Sequence, residues 1–269
     1  MGISLAASAQ NSGCEVFWAS EGRSEQTRAR AEAFDLVDAG SLEELVGNCS
    51  TLVSVCPPHA AEKVAEQVLS SGFTGLYVDA NAISPQRATQ IHETLTDGNV
   101  DFVDGGIIGG PAWEAGRTWL YLSGEKAQAV ADCFSAGPLE TAIIGNAAGK
   151  ASALKMCYAA WTKGSTALLC AILATAEQLD VWEELQQQWE RNWPGFAEQT
   201  TKRARRVTAK AWRFAGEMDE ISATFERAGV PGGFHAAAGA LYRRIARFKD
   251  ATSPPALEEV LAALVQAIQ

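Results

Sequence analysis

Residues 145–176 read GNAAGKASALKMCYAAWTKGSTALLCAILATA, and the two sides of this stretch follow different periodicities. Upstream, short runs rich in β-branched and aromatic residues alternate with helical segments, the pattern of strands and helices in turn. From Gly149 onward the apolar residues recur at helical spacing, so the chain changes from α/β to all-α here. Lys155 falls at the start of a long apolar helix just after that change. A lysine so placed can lie across a cleft between two domains, and it is the leading catalytic candidate. The plainer reading is a lysine that snorkels along an apolar surface.

A chain of 269 residues is long enough for two domains, and the pattern divides it at 1–145 and 146–269. With 47% apolar and 20% charged residues, no tract is biased enough to read as disordered. The net charge of -10 sits mostly in the first half, where residues 1–144 hold 7 basic and 19 acidic side chains. Such a surface repels phosphate backbones, so nucleic acid is not the expected partner. The basic run Lys202, Arg203, Arg205, Arg206, Lys210 and Arg213 reads as a solvated helix face, with a subunit contact or an anionic substrate as the alternative.

Six scattered cysteines without a CxxC pair suit reduced, buried thiols in a cytoplasmic protein. No signal peptide is visible, the apolar run from Gly164 to Ala176 is too short to span a bilayer, and no set of residues has metal-ligand spacing.

In order, Gly2–Ser12 reads as a small-residue helix stopped by Gly13, with Ile3 and Leu5 inward, and Cys14–Ala19 as a buried strand. A nucleotide-binding domain normally opens one strand earlier, with a glycine-rich turn that lets backbone approach a pyrophosphate. Residue 1 lies at the end of such a turn, so the expectation is a fold lacking its first strand and turn, by truncation, with neighbouring strands left exposing backbone groups. After the next strand, Ser20, Arg23 and Ser24 suit a 2'-phosphate, and Glu21 argues the other way. NADP is therefore preferred and NAD is possible. An exposed loop charge is the competing reading of Arg23.

Thr51–Cys56 is a strand ending at Pro57-Pro58-His59. Strand carboxyl ends bind ligands in open α/β sheets, which makes Cys56 and Pro57 cofactor candidates, while His59 reads better as a helix cap. Strands follow at Gly75–Asp79, Val100–Asp104, Thr118–Ser123 and Thr141–Ile144, with helices over Ala60–Leu69, Pro85–Leu95 behind Ser84, and Glu125–Phe134. The GGIIGGP run at 105–111 reads as a turn approaching a ligand. The second half reads as a long helix continuing to Trp189, then helices over Phe196–Phe214, Glu217–Ala228, Phe234–Phe248 and Leu257–Ile268. Met218, the tryptophans at 182, 189, 193 and 212, and Phe225 are expected to pack a core or a dimer seam. His235 is open between a cleft residue, a core residue and a cap.

The order VSVCPP, VDANAISP, VDGGIIGGP, GNAAGKASALKMCYAAWTKG and a helical domain resembles the β-hydroxyacid dehydrogenase and 6-phosphogluconate dehydrogenase superfamily. The similarity is to a branch with a distinct, DUF1932-like helical C-terminal domain. It implies a Rossmann-like α/β domain followed by an all-α domain, and hydride transfer between NADP and a small hydroxyacid, ketoacid or related carbonyl compound. By the same resemblance Gly2 is the tail of the glycine turn, Asn81 a cofactor contact, Gly109 and Gly110 the end of the substrate loop, and Lys155 the proton donor. A homodimer through the helical domain is implied too. Ile108 stands where relatives carry serine, and Cys157, Tyr158 and Ala159 where they carry asparagine. Tyr158 either supplies the hydrogen bond of that asparagine or simply packs, and His235 is a further substrate-site candidate. The competing reading is a noncatalytic ligand-binding or assembly protein that keeps the fold.

Overall fold

The computed structural model describes residues 1–266. It forms two compact units, Met1–Met156 and a second beginning at Cys157. The last strand ends at Gly145, where strand character stops in the sequence, and the unit boundary falls further on, inside a helix.

The first unit begins with α1 (Gly2–Asn11), which buries Leu5 and ends before Gly13 at φ +82°. Two short strands, β1 (Phe17–Trp18) and β2 (Val37–Asp38), pair in parallel around α2 (Glu25–Glu32). The expected strand from Cys14 to Ala19 thus shrinks to two residues, because only one of its edges finds a partner. α3 (Leu42–Asn48) follows, opened by a capping box in which Ser41 and Glu44 satisfy each other's backbone.

Five strands then form a separate sheet: β3 (Thr51–Ser54), β4 (Leu76–Asp79), β5 (Asp101–Ile108), β6 (Thr118–Ser123) and β7 (Leu139–Gly145), in that order. All neighbours are parallel except β5 and β6. The connecting helices are α4 (Ala61–Ser70), α5 (Pro85–Asp97) and α6 (Ala127–Asp132). Ser84 takes the N-cap position of α5 without a side-chain capping bond, so Pro85 at the first turn starts that helix.

Alternation along the strands sends side chains into two cores. Val78 and Val103 join Leu5, Leu120, Val130 and Phe134. Tyr77 and Phe102 join Ala61, Ala65, Val68, Ile91 and Leu95. Each fully buried large side chain contributes about 1.5–3 kcal/mol. With both faces covered, β4 is buried at every position, as a central parallel strand requires.

The GGIIGGP run is not one turn. Gly105, Gly106, Ile107 and Ile108 continue β5 and pair with Leu122, Tyr121, Leu120 and Trp119, leaving Gly109 at φ +129° and Gly110 to leave the sheet. A Cβ on Gly106 would meet the Ala151 carbonyl at 2.6 Å, so a helix backbone lies directly on this strand.

That helix is α7 (Lys150–Ala159). The single long helix expected beyond it is interrupted twice: by a π turn at Ala160–Gly164, and at Leu179–Val181, where Asp180 adopts φ +55°. α8 (Ser165–Gln178) and α9 (Trp182–Asn192) are the remaining pieces. Conversely, α10 (Phe196–Arg227) runs unbroken for 32 residues where two helices were expected. Gly216 sits between buried Ala215 and Met218, and packing of that stripe outweighs the roughly 1 kcal/mol a helical glycine costs. α11 (Gly233–Ile245), a 3-10 turn at Ala246–Phe248 and α12 (Leu257–Val265) complete the unit. The expected end of the last helix at Ile268 lies outside the described residues.

Met218 and Trp189 are core, and Phe225 meets His235 edge-on, while Trp193 and Trp212 are exposed. The basic run is not uniformly solvated. Arg203 bonds Thr166, Ser165 and the Thr162 carbonyl, and Arg205 bonds the Pro254 and Pro255 carbonyls. All six cysteines are free, but only Cys170 is fully buried and Cys157 is exposed, so burial of the thiols is partial. Among the described residues no helix is long and apolar enough to cross a membrane.

Candidate functional site

The carboxyl ends of β3 and β4 and the middle of β5 hold two sets of buried, hydrogen-bonded polar side chains. Asp79 ends β4 and Asp104 lies opposite it on β5. Both are fully buried.

Asp79 organises the β4 end through Asn81. The Asn81 backbone N–H donates to Asp79 Oδ1 at 3.0 Å and its Nδ2 donates to Asp79 Oδ2 at 2.9 Å and to Ser54 Oγ at 3.0 Å. Asn81 Oδ1 accepts the Cys56 N–H at 2.5 Å, which ties the β3 end to the β4 end. Three sequence candidates, Cys56, Pro57 and Asn81, are therefore brought together, with Asn81 as the tie. Burial pushes the Asp79 carboxyl up to about 6, opposed by the Asn81 hydrogen bonds and reinforced by Asp104. Burial also raises the Cys56 thiol, so it is no activated nucleophile.

Asp104 organises the start of α7. Its Oδ2 accepts the Ser152 N–H at 2.9 Å and the Ser123 hydroxyl at 3.2 Å, and its Oδ1 accepts the Ser152 hydroxyl at 2.6 Å. Ser123 Oγ in turn accepts the Ala151 N–H at 3.1 Å. Two N–H groups of the first helical turn, which have no partner within a helix, are thus taken by side chains of β5 and β6. A carboxylate here also meets the positive end of the helix dipole. Burial raises the Asp104 carboxyl, with the Ser152 bonds pulling it back down.

Lys155 is one turn beyond Ser152. Its Nζ donates to the Ile107 carbonyl at 2.5 Å, and its Cβ would lie 3.2 Å from a Cβ on Gly106. The ammonium is therefore held beside the end of β5. Asp104, Ser123 and Ser152 had no local signal in sequence, because their contacts span up to 48 residues.

The remaining candidates have other surroundings. Gly2 opens α1, with nothing within 4 Å of an added Cβ. Ser20 is buried, its carbonyl accepting Arg28 Nη2 at 2.8 Å. The Gly40 N–H, and after it the Ser20 hydroxyl, hold the Asp38 carboxyl below its usual range. Ser24 caps α2 by accepting the Thr27 N–H, and Arg23 is exposed. Tyr158, three residues beyond Lys155 on α7, is 47% exposed.

His235 lies inside the helical unit, between Phe225 and Phe234 and against Gly164 of the π turn. Burial lowers its pKa. Among the described residues no group of His, Cys, Asp and Glu could hold a metal ion.

Residues 1–136, half of the chain, match the family described as the NAD binding domain of 6-phosphogluconate dehydrogenase. The chain belongs to that family. Residues 176–245 of this family member match a domain of unknown function, DUF1932. An uncharacterized 28.5 kDa protein of Methanothermus fervidus, from a 7S RNA 5' region, is 31% identical over 173 residues, 64% of this chain. The match spans 65% of that curated relative's length.

Among solved structures, a conserved protein of unknown function, described as structurally similar to 3-hydroxyacid dehydrogenases, is 25% identical. It has a TM-score of 0.65 over 93% of this chain and 95% of that one. A conserved hypothetical protein from Sinorhizobium meliloti 1021 gives 20% identity and a TM-score of 0.68, over 97% and 91% of the two chains. The 3-hydroxyisobutyrate dehydrogenase of Salmonella typhimurium gives 18% and 0.67, over 97% and 95%. The last two likenesses are of fold.

Proposed function

We propose that this family member is an NADP-dependent oxidoreductase that transfers hydride between the nicotinamide and a small hydroxyacid, ketoacid or related carbonyl compound. The observation that carries the reading is Lys155. In a chain with an NAD-binding family domain, its ammonium is positioned at the end of β5 by a buried Asp104 clamp and the Ile107 carbonyl. The 3-hydroxyisobutyrate dehydrogenase of like fold, and the conserved protein described as structurally similar to 3-hydroxyacid dehydrogenases, support the same substrate class.

The residues fit a dinucleotide in part. The open N-terminus of α1 at Gly2 suits a phosphate, exposed Arg23 suits a 2'-phosphate, and the Cys56, Pro57 and Asn81 group suits the nicotinamide end. The cofactor supplies or accepts the hydride. Lys155 donates a proton to the substrate oxygen, or receives it in the reverse direction. Asn81 fixes the strand ends, and Gly109 and Gly110 let backbone approach the substrate. Tyr158, exposed one turn along α7, provides the hydrogen bond that asparagine gives in relatives. A homodimer through the helical unit would cover Trp161, Leu179 and Trp193, which are 73%, 66% and 57% exposed.

NADPH fluorescence titration and turnover on a panel of small hydroxyacids and ketoacids test this. Lys155→Ala is expected to keep cofactor binding and lose about 10²–10⁴ in turnover. Unchanged turnover would remove Lys155 from the chemistry. A second reading, a noncatalytic ligand-binding protein, is favoured by the bond Lys155 already makes to a backbone carbonyl and by Ile108. Tight NADPH binding without turnover on any panel member would select it.

A further inference from the structure

The turn after β3 reads Cys56-Pro57-Pro58-His59, and its two prolines leave no backbone N–H between those of Cys56 and His59. A segment that cannot donate has to be fastened at its ends or through its carbonyls. Both fastenings come from the segment that enters α5. At the start of the turn, Asn81 Oδ1 accepts the Cys56 N–H at 2.5 Å. At its end, Arg87 Nη2 donates to the Pro58 carbonyl at 2.9 Å. The same carbonyl accepts the Ala61 N–H across the 3-10 turn Pro58–Ala60. Among the described residues no other side chain from outside 54–62 hydrogen-bonds to residues 56–59.

Arg87 is placed against the preference of its own helix. It is the third residue of α5, where the positive end of the helix dipole favours an acidic side chain. Glu62 compensates it. Arg87 Nε and Nη2 donate to Glu62 Oε1 and Oε2 at 2.7 and 2.8 Å, a fork on both carboxylate oxygens. Glu62 lies in the first turn of α4, where a carboxylate is favoured, and the Arg87 hydrogen bonds hold its carboxyl below the usual range. Nη2 serves Glu62 and Pro58 at once, so the seat of the guanidinium on Glu62 sets the direction of the Pro58 carbonyl. The ammonium of a lysine has no such planar fork.

We propose that Arg87 and Glu62 are positioning residues for the cofactor site, which hold the Pro57-Pro58 turn in the conformation that receives the nicotinamide end of the dinucleotide. The inference rests on the functional reading above, in which Cys56, Pro57 and Asn81 take that end. Arg87 and Glu62 act through the backbone of the turn. A turn that is in place for only part of the time binds with an affinity reduced by that fraction. Direct attraction of Arg87 for the cofactor phosphates is the rival account, and the two differ in sign at Glu62. Removing the Glu62 charge loosens the turn but strengthens a bare attraction.

Fluorescence titration of NADPH into the full chain and into Arg87→Ala, Arg87→Lys and Glu62→Gln separates them. Arg87→Ala is expected to raise the dissociation constant about tenfold, as when the held turn falls to about a tenth of the population. Arg87→Lys keeps the charge and loses the fork, and should weaken binding by a similar factor. Glu62→Gln should weaken binding too. The side chains are 21% and 42% exposed, so melting temperatures without cofactor should stay within a few degrees of the parent. Hydrogen exchange reports the turn itself. The Ala60 and Ala61 amides, bonded to the Pro57 and Pro58 carbonyls, should exchange faster in Arg87→Ala, with the Leu120 amide unchanged.

Parental affinity in Arg87→Lys, or tighter binding by Glu62→Gln, would overturn the proposal in favour of direct attraction. A parent chain that binds NADPH, with Arg87→Ala equal to it or with unchanged exchange at Ala60 and Ala61, would overturn this inference alone. A parent chain that binds no NADPH would overturn the functional reading and this inference with it.

Discussion

Ser152 meets Asp104 twice, through its backbone N–H at 2.9 Å and its hydroxyl at 2.6 Å, and this pair fixes the first turn of α7 to β5. The lysine one turn later inherits its position from that bond. Asp104→Ala leaves the Ser152 N–H and two hydroxyls without their buried acceptor. A lost hydrogen bond to a charged group costs about 1.5–3 kcal/mol, so a loss of roughly 3 kcal/mol or more is expected in urea denaturation. Ser152→Ala removes only the hydroxyl and should cost about half as much. Equal effects would mean that the N–H bond to Asp104 contributes nothing.

Gly106 tests the same contact from the strand side. Its φ is not in the left-handed region, so alanine there is strained by space alone. The added Cβ would lie 2.6 Å from the Ala151 carbonyl and 3.2 Å from Lys155 Cβ. Gly106→Ala is expected to cost about 1–3 kcal/mol by pushing α7 off β5. Gly110→Ala, with open space around it, should be close to neutral. Thermal melts of the two variants side by side check the contrast.

The strands were legible because buried runs such as Leu76–Asp79 are apolar and bounded by turn residues, and the change at Gly145 was legible because periodicity itself changes there. The break at Leu179–Val181 was not. No glycine or proline marks it, and the left-handed residue is Asp180. The break expected between Phe214 and Glu217 does not occur, since Gly216, inside a packed stripe, does not end the helix. Lys155 and Asn81 stood out through their position in recurring motifs. The groups that hold Lys155 did not, because a strand aspartate and a helix serine 48 residues apart carry no local sign that they meet. The uneven sheet could be expected from the start of the pattern.

Asp79 predicts a pH dependence opposite to that of a salt-bridged carboxylate. Burial raises its folded-state pKa to about 6, from 3.8 for an unperturbed aspartate. A raised acid pKa means that the folded state holds the proton more tightly. The stabilising contribution is complete below about pH 3.8 and is lost as pH rises toward 6. At neutral pH the buried charge costs up to about 3 kcal/mol. Asp79→Asn cannot ionise, so its stability curve between pH 4 and 7 should lose this downward component. Urea midpoints across that range measure it, and parallel curves for the two proteins would count against the assignment.

The buried pair Lys163–Glu217 gives the last test, within the helical unit. Their charges are 2.7 Å apart with side chains 11% and 6% exposed, and Arg213 is 3.2 Å from the other Glu217 oxygen. Lys163 also lies over Phe214, and its carbonyl accepts the Tyr242 hydroxyl at the π turn. Removing one partner leaves a charge without compensation, so Glu217→Leu, which strands Lys163, should cost about 3–5 kcal/mol. Lys163→Met should cost less, because Arg213 still faces Glu217. The double variant Lys163→Met with Glu217→Leu replaces the pair by apolar groups of similar size, and continuum reasoning places it near the parent or above it. The recovery is what matters: a double variant no more stable than Glu217→Leu alone would show that the pair adds net stability and is not merely compensated. The Tyr242 bond is to the Lys163 backbone and survives each substitution, so the π turn should persist throughout.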